Sequence, residues 1–369
     1  MIYLDNAATS FPKPKSVISE VSRCLESYCG NPGRSSHSLA LRSAEAIYDT
    51  RVLISEFFSF GKPENIVFTY NATYALNIAI KTALKENDHV IISDLEHNSV
   101  LRPIEALKKK CGIEYSVFNA NEDICREIDR LKRANTTAIV STLRSNVTGQ
   151  KISLEALSRA AKKHSLRLIL DASQSAGHED IDLSKAEFYA LCAPAHKALF
   201  GIQGAGLIVF GNDDYKPTFI EGGSGAESLS RDMPRDLPER LEAGTLCVPA
   251  IVALKEGITY IKGIGINNIK DIIRQNESYF VDRLITLPNT RLSFGGGIIS
   301  LINEKISSSI LSNHLDKRGI CTRSGLHCAP LAHKKIGTTD VGTLRISLGI
   351  FNTKEEADAL YSALLDIIK

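Results

Sequence analysis

The sequence predicts an α/β protein: a mostly parallel sheet of seven strands covered by helices, with a smaller α+β domain after it. Three observations carry this reading. Short apolar runs alternate with amphipathic segments through the first two thirds of the chain. The alternation stops after "EAGTLCVPA" (242–250). Four polar clusters each follow one of the apolar runs, where open parallel sheets place their ligands.

The strand candidates are "IVFT" (66–69), "HVIIS" (89–93), "IEYSVF" (113–118), "TAIVST" (137–142), "LRLILD" (166–171), "FYALCA" (188–193) and "GLIVF" (206–210). Runs that are nearly continuous in apolar residues suit strands buried on both faces. Between them, 73–86 and 153–165 repeat apolar residues at three- and four-residue spacing and read as helices. One helical segment is expected over about 250–285, then "RLSFGGGIISLIN" (291–303), a helix near 307–318, the strand "TLRISL" (343–348) and a terminal helix over 353–369. The expected division is a large domain over 16–248 and a small one built from 1–15 and 249–369.

Composition excludes several classes. With 369 residues, 43% apolar and 23% charged, the chain is neither disordered nor fibrous. Forty-four basic against 42 acidic residues leave a net charge of +2, which gives no broad footprint for nucleic acid or an anionic membrane. The run "ALKKKCG" (106–112) reads as a solvated helix end, where cations complement the helix dipole. No signal-like start and no long apolar window occur, so a cytoplasmic protein is expected. The eight cysteines form no C-x-x-C pair, so no metal site is expected, and all but Cys328 are expected to be reduced, bland thiols.

The polar clusters suggest one chemistry. Lys197 follows His196 just past an apolar strand, and a lysine among apolar neighbours has a lowered pKa and condenses with aldehydes. If that aldehyde is pyridoxal phosphate, its ring nitrogen needs a carboxylate partner, and Asp171 at a strand end is the candidate; its other reading is a loop cap. The phosphate needs backbone N–H groups at a helix start, which Asn71, Ala72 and Thr73 offer, though alone they are an ordinary N-cap. His97 can lie on the cofactor ring and Gln174 can bond its phenolate oxygen. Asn146 and Arg345 suit a substrate carboxylate, although an arginine in a strand is also a common cross-strand ion pair. Late in the chain "RSGLHCAP" (323–330) sets Cys328 on a short loop punctuated by Gly325 and Pro330. Arg323 and His327 there either favour its thiolate by their charge or, for His327, are simply exposed.

With these residues in view, the chain resembles the cysteine desulfurases of the class V aminotransferase superfamily over nearly its full length. The motifs are "YLDNAAT" (3–9), "GNPGR" (30–34), "NATYALN" (71–77), "EHNSV" (96–100), "SNVTG" (145–149), "DASQSAGH" (171–178), "AHKALFG" (195–201), "PERLEAGT" (238–245), "RSGLHCAPLAH" (323–333) and "FNT" (351–353). The resemblance implies fold type I of the pyridoxal-phosphate-dependent transferases. It implies Lys197 as the Schiff-base lysine with His196 beside it, Asp171 at the pyridine nitrogen, Gln174 at the phenolate and His97 on the ring. Ala72 and Thr73 match the phosphate loop, and Thr245 a residue reaching the phosphate of a neighbouring subunit in a homodimer. Asn146, Arg345 and Arg323 match the carboxylate clamp, and Cys328 the thiol that takes sulfur from L-cysteine as a persulfide. A related sulfur or selenium amino acid is the alternative substrate, and a sulfur-acceptor protein the implied partner. Neither nucleic acid nor membrane is implied.

One position departs from the family pattern. A serine or threonine usually stands three residues before the lysine, its hydroxyl on the phosphate; here it is Pro194, which has neither hydroxyl nor N–H. Rival readings are selenocysteine lysis, C–S lysis or transamination on the same scaffold, and a non-catalytic relative serving as a partner protein. Transamination needs no thiol at position 328, and a non-catalytic relative need not keep Lys197, Asp171, His97 and Cys328 together.

Overall fold

The computed structural model describes residues 1–33, 36–212, 214 and 216–369. Arg34, which ends one of the motifs above, lies outside the described residues. The strands are β1 (Ile2–Tyr3), β2 (Ile66–Thr69), β3 (His89–Ser93), β4 (Glu114–Phe118), β5 (Thr136–Thr142), β6 (Arg167–Asp171), β7 (Ala190–Pro194), β8 (Gly206–Phe210), β9 (Thr290–Gly295), β10 (Ile298–Asn303), β11 (Ile320–Cys321), β12 (Arg323–Gly325) and β13 (Thr343–Ser347). The helices are α1 (Lys15–Ser27), α2 (Ser38–Phe57), α3 (Ala72–Ala83), α4 (Asn98–Cys111), α5 (Ile124–Leu131), α6 (Leu154–His164), α7 (Val248–Ile264), α8 (Ile266–Leu284), α9 (Ser308–Asp316), α10 (Pro330–Lys335) and α11 (Lys354–Ile368).

All seven expected strands join one sheet, in the order β2-β8-β7-β6-β5-β3-β4. Strands β3 to β7 run parallel, and β8 alone is antiparallel to its neighbours β7 and β2. Alternate side chains go to opposite faces, as the pleat requires. Ile91, Ile139, Leu168 and Leu170 enter one core, with residues of α2, α6 and α7; Val90, Ile92, Val140 and Ile169 enter another, beneath α3 and α4. Both faces of β3 and β5 are therefore dry, which is why their sequences read as unbroken apolar runs.

Helix boundaries follow local chemistry. Asn71 accepts the Tyr74 N–H and caps α3; Gly112 in the left-handed region ends α4, whose last turn carries Lys108, Lys109 and Lys110. The single helix expected over 250–285 is in fact two. Gly265 adopts φ 87° between α7 and α8, a conformation no helix can pass through.

The second sheet is antiparallel, ordered β12-β13-β10-β9, and encloses a third core with α9, α11 and the end of α8. Gly296 and Gly297, at φ 56° and 84°, make the two-residue turn between β9 and β10. Strand β1 pairs in parallel with β11, and Leu4 joins this third core. Helix α7 and residues Ile269 and Ile273 of α8 belong instead to the core of the large sheet. Among the described residues, no helix is long and apolar enough to cross a membrane.

Candidate active site

The loops after β2, β3, β5, β6 and β7 meet at one edge of the large sheet. They line a cleft with Asn71, Ala72, Thr73, His97, Ser99, Asn146, Asp171, Gln174, Pro194, His196 and Lys197. Eight residues singled out from the sequence are thus gathered in one space: Ala72, Thr73, His97, Asn146, Asp171, Gln174, His196 and Lys197. The parallel strands explain the convergence, because each delivers its following loop to the same edge.

Lys197 stands at the wall of this cleft. Among the described residues its Nζ has no hydrogen-bond or ion-pair partner. Burial lowers its pKa from 10.5 to about 8, against the pull of Asp171 and with Arg345 and Arg323 pushing the same way. The peptide before it is held by the N-terminal arm. The His196 carbonyl accepts from Thr9 Oγ1 at 2.9 Å, Ser10 N at 3.1 Å and Lys13 Nζ at 2.8 Å, while Ser10 Oγ donates to the Lys197 carbonyl at 2.8 Å. The same arm accepts the Gln174 amide on the Ala7 carbonyl at 2.9 Å.

Asp171 closes β6 and accepts the Ser173 N–H at 2.9 Å, which fixes its carboxylate in the cleft. His97 caps α4: its Nδ1 accepts the Ser99 backbone N–H at 3.0 Å, so the ring proton sits on Nε2. Burial, reinforced by Lys197 and the two arginines, pulls the His97 pKa down to about 4, and the ring is neutral at pH 7. Ser99 Oγ lies 2.8 Å from Thr73 Oγ1.

Glu96, next to His97, is fully buried and was not singled out from the sequence. One of its oxygens accepts from Ser93 Oγ at the end of β3 and from the Thr142 N–H of β5 at 2.8 Å; the other has no partner among the described residues. Burial, with the Asp171 charge adding to it, raises its pKa to about 8. A glutamate in a loop carries no periodic signal that marks it as buried. The contacts of Lys13 and Ser10 were equally invisible, since they reach carbonyls far along the chain.

Arg345 and Arg323 face each other directly across β13 and β12. Like charges in that register repel. Arg345 is buried and bonded to Asp5 Oδ1 at 2.7 Å and to the Asn146 carbonyl at 3.3 Å, yet its Nε has no partner among the described residues. A carboxylate beside the two guanidinium groups would relieve the repulsion of the arginine pair. Asn146 donates to the His327 carbonyl at 2.8 Å, and the Cys328 carbonyl accepts the Asn98 N–H at 2.7 Å. The loop that carries the exposed Cys328 is therefore fastened to two strand-end loops, both of which line the cleft.

One expectation at the site needs correction. His327 is not exposed and carries no charge near the thiol. It is buried, bonded through Nε2 to Thr343 Oγ1 at 3.0 Å, and desolvation with the nearby arginines lowers its pKa to about 3. Thr245, matched above to a residue that reaches a neighbouring subunit, is exposed and lines a separate, more apolar cleft with Tyr70, Tyr74 and Ile220. Of the other cysteines only Cys24 and Cys192 are buried, while Cys29 and Cys247 are exposed.

The donor set fits pyridoxal phosphate. It offers a lysine with a depressed pKa, a carboxylate, a neutral imidazole and the start of α3, whose first turn holds no acidic residue.

Comparison with known proteins agrees with this geometry. The family model described as aminotransferase class-V matches residues 2–360. A protein named probable cysteine desulfurase from Borreliella burgdorferi is 32% identical, covering 100% of this chain and 92% of its own length. Another of that name, from Methanothermobacter thermautotrophicus, is 30% identical over 99% of this chain and 94% of its own. The apo structure of a cysteine desulfurase from Thermococcus onnurineus NA1 superposes with a TM-score of 0.90 at 25% identity, covering 100% of this chain and 94% of that one. Sheet order, cleft and likeness agree: the chain belongs to the aminotransferase class-V family, alongside its cysteine desulfurases.

Proposed function

We propose that the protein is a pyridoxal-phosphate-dependent cysteine desulfurase that takes the sulfur of L-cysteine onto Cys328 and releases alanine. The observation that supports this most is the meeting of Lys197, Asp171, His97 and the start of α3 in one cleft whose rim is bonded to the Cys328 loop. When bound, pyridoxal phosphate would supply the electron sink that acidifies the substrate Cα and weakens its Cβ–S bond.

The chain's own groups have separable tasks. Asp171 would keep the ring nitrogen protonated, His97 would cover the ring face, and Gln174 would hold the phenolate oxygen. Arg345 would take the substrate carboxylate, with Arg323 and Asn146 beside it. The amine of Lys197, neutral in a good fraction of molecules near pH 8, would accept the Cα proton as general base. Cys328, as thiolate, would attack the substrate sulfur. A new S–S bond forms, the Cβ–S bond breaks with its electron pair moving to carbon, and protonation there completes alanine. The persulfide would then pass to the thiol of an acceptor.

A homodimer and an acceptor protein belong to the same proposal. The apolar cleft around Tyr70, Tyr74 and Ile220, with Thr245 on its edge, suits a second copy that receives Thr245 into its own site.

The test is incubation of purified protein with L-cysteine, selenocysteine and a thioether amino acid, scoring alanine against pyruvate and weighing Cys328 for one added sulfur. Alanine with a sulfur-bearing Cys328 supports the reading. Pyruvate, or a Cys328→Ser variant that still accumulates protein-bound persulfide, overturns it.

A further inference from the structure

The phosphate end of the cleft lacks one donor and contains another that has no assigned role. Pro194 ends β7 at the cleft wall and brings neither hydroxyl nor N–H. Facing the same space, Ser99 in the first turn of α4 places its Oγ 2.8 Å from Thr73 Oγ1, in the first turn of α3. Two helix starts therefore present a touching pair of hydroxyls to one cleft, and neither first turn contains an acidic residue.

We propose that Ser99 is a ligand of the cofactor's phosphate, acting with Thr73 to provide the hydroxyl that Pro194 does not. The inference rests on the pyridoxal phosphate reading above and adds a residue to it.

The hydrogen bonds on α4 direct the choice to the side chain. The Asn98 N–H is taken by the Cys328 carbonyl, and the Ser99 N–H by His97 Nδ1. The Ser99 hydroxyl is what this helix start has left to offer an anion inside the cleft, which Ser99 lines and Asn98 does not. The lone pair of His97 Nδ1 already receives the Ser99 amide, so the Oγ at 2.9 Å from it is free to turn its proton elsewhere. When two hydroxyls touch, only one proton can lie between them, and the other points outward. A phosphate draws both protons outward in place of that mutual bond, because its oxygens are acceptors only and the positive ends of α3 and α4 favour its charge.

The experiment measures binding to apoprotein, with no turnover. Wild type, Ser99→Ala, Ser99→Thr and the double variant Pro194→Ser/Ser99→Ala are titrated with pyridoxal phosphate and with pyridoxal, and their melting temperatures are followed against inorganic phosphate. Loss of one hydrogen bond to a charged group should weaken Ser99→Ala for pyridoxal phosphate about tenfold and leave pyridoxal unchanged within about twofold. Ser99→Thr should bind as wild type, the double variant should recover, and phosphate should raise the melting temperature of Ser99→Ala less. Equal affinity of Ser99→Ala and wild type for pyridoxal phosphate overturns the proposal. So does an equal loss for pyridoxal, which would place the effect on His97 and the ring. Wild-type protein that captures no pyridoxal phosphate sinks the cofactor reading itself, a different and separately visible result.

Discussion

The ammonium of Lys13 lies 2.8 Å from the backbone carbonyl of His196, the residue that precedes Lys197. Thr9 and Ser10 donate to the same carbonyl, so the arm that starts the chain sets the position of the reactive lysine. Replacing Lys13 by Met should remove a charge-assisted bond and let the peptide before Lys197 shift. Capture of pyridoxal phosphate by the apoprotein should slow about tenfold, and Lys13→Arg should recover most of the rate. Stopped-flow absorbance of the lysine-bound cofactor checks both. Equal rates for Lys13→Met and wild type would show that the arm is only packing.

Lys197 should react as an amine of pKa about 8, far below its ordinary 10.5. The neutral amine is the form that condenses, so capture should rise through about pH 8 and level off beyond it. The same shift acts on stability. Between pH 8 and 10.5 the folded state binds fewer protons at this site than the unfolded chain. Apoprotein stability should therefore gain with rising pH across that window, and Lys197→Met should lose this component. A capture rate still climbing at pH 10 would contradict the burial argument.

Glu96 predicts the opposite slope. Its folded pKa is raised from 4.5 to about 8, so between those values the folded state holds a proton that the unfolded chain has released. Its contribution to stability is present below pH 4.5 and falls away as pH rises toward 8. Gln is a close mimic of the protonated acid and cannot ionise. Denaturation of Glu96→Gln and wild type at several pH values should show the variant gaining on wild type from pH 5 to 8. A constant difference would mean that Glu96 is ionised in the fold.

The large sheet was legible in the sequence because its strands lie between two layers of helices. Burial on both faces forces Val90–Ile92 and Leu168–Leu170 to be apolar without interruption, and such runs are visible without coordinates. The break at Gly265 was not, since apolar spacing continues on both sides of it. Strands β1, β11 and β12 are too short to carry a period of two. At the site, Lys197, Asp171 and His97 announced themselves through motif and strand-end position. Ser99, Glu96 and Lys13 did not, because what distinguishes them is a partner: a hydroxyl on another helix, a second strand, or a carbonyl across the chain.

The Cys328 loop stores strain that a simple substitution should release. His327 and Cys328 are consecutive non-glycine residues at φ 48° and 57°, in the left-handed region. Side chains there cost about 1–2 kcal/mol per residue relative to the right-handed form. The conformation persists because both carbonyls are bonded, His327 to Asn146 and Cys328 to the Asn98 N–H, and because the His327 ring is anchored on Thr343. These anchors hold the backbone by its carbonyls and leave the cysteine exposed. Cys328→Gly keeps every one of these bonds and removes the side chain that crowds the backbone, whereas Cys328→Ala keeps the crowding. Both variants lose the thiol and should form no persulfide. Cys328→Gly should nevertheless be more stable than Cys328→Ala by about 1 kcal/mol, after the greater freedom of glycine in the unfolded chain is set against the relief. Paired denaturant midpoints measure the difference. A glycine variant no more stable than the alanine variant would mean that the loop holds its thiol in place without strain, and that its rigidity comes from the anchors alone.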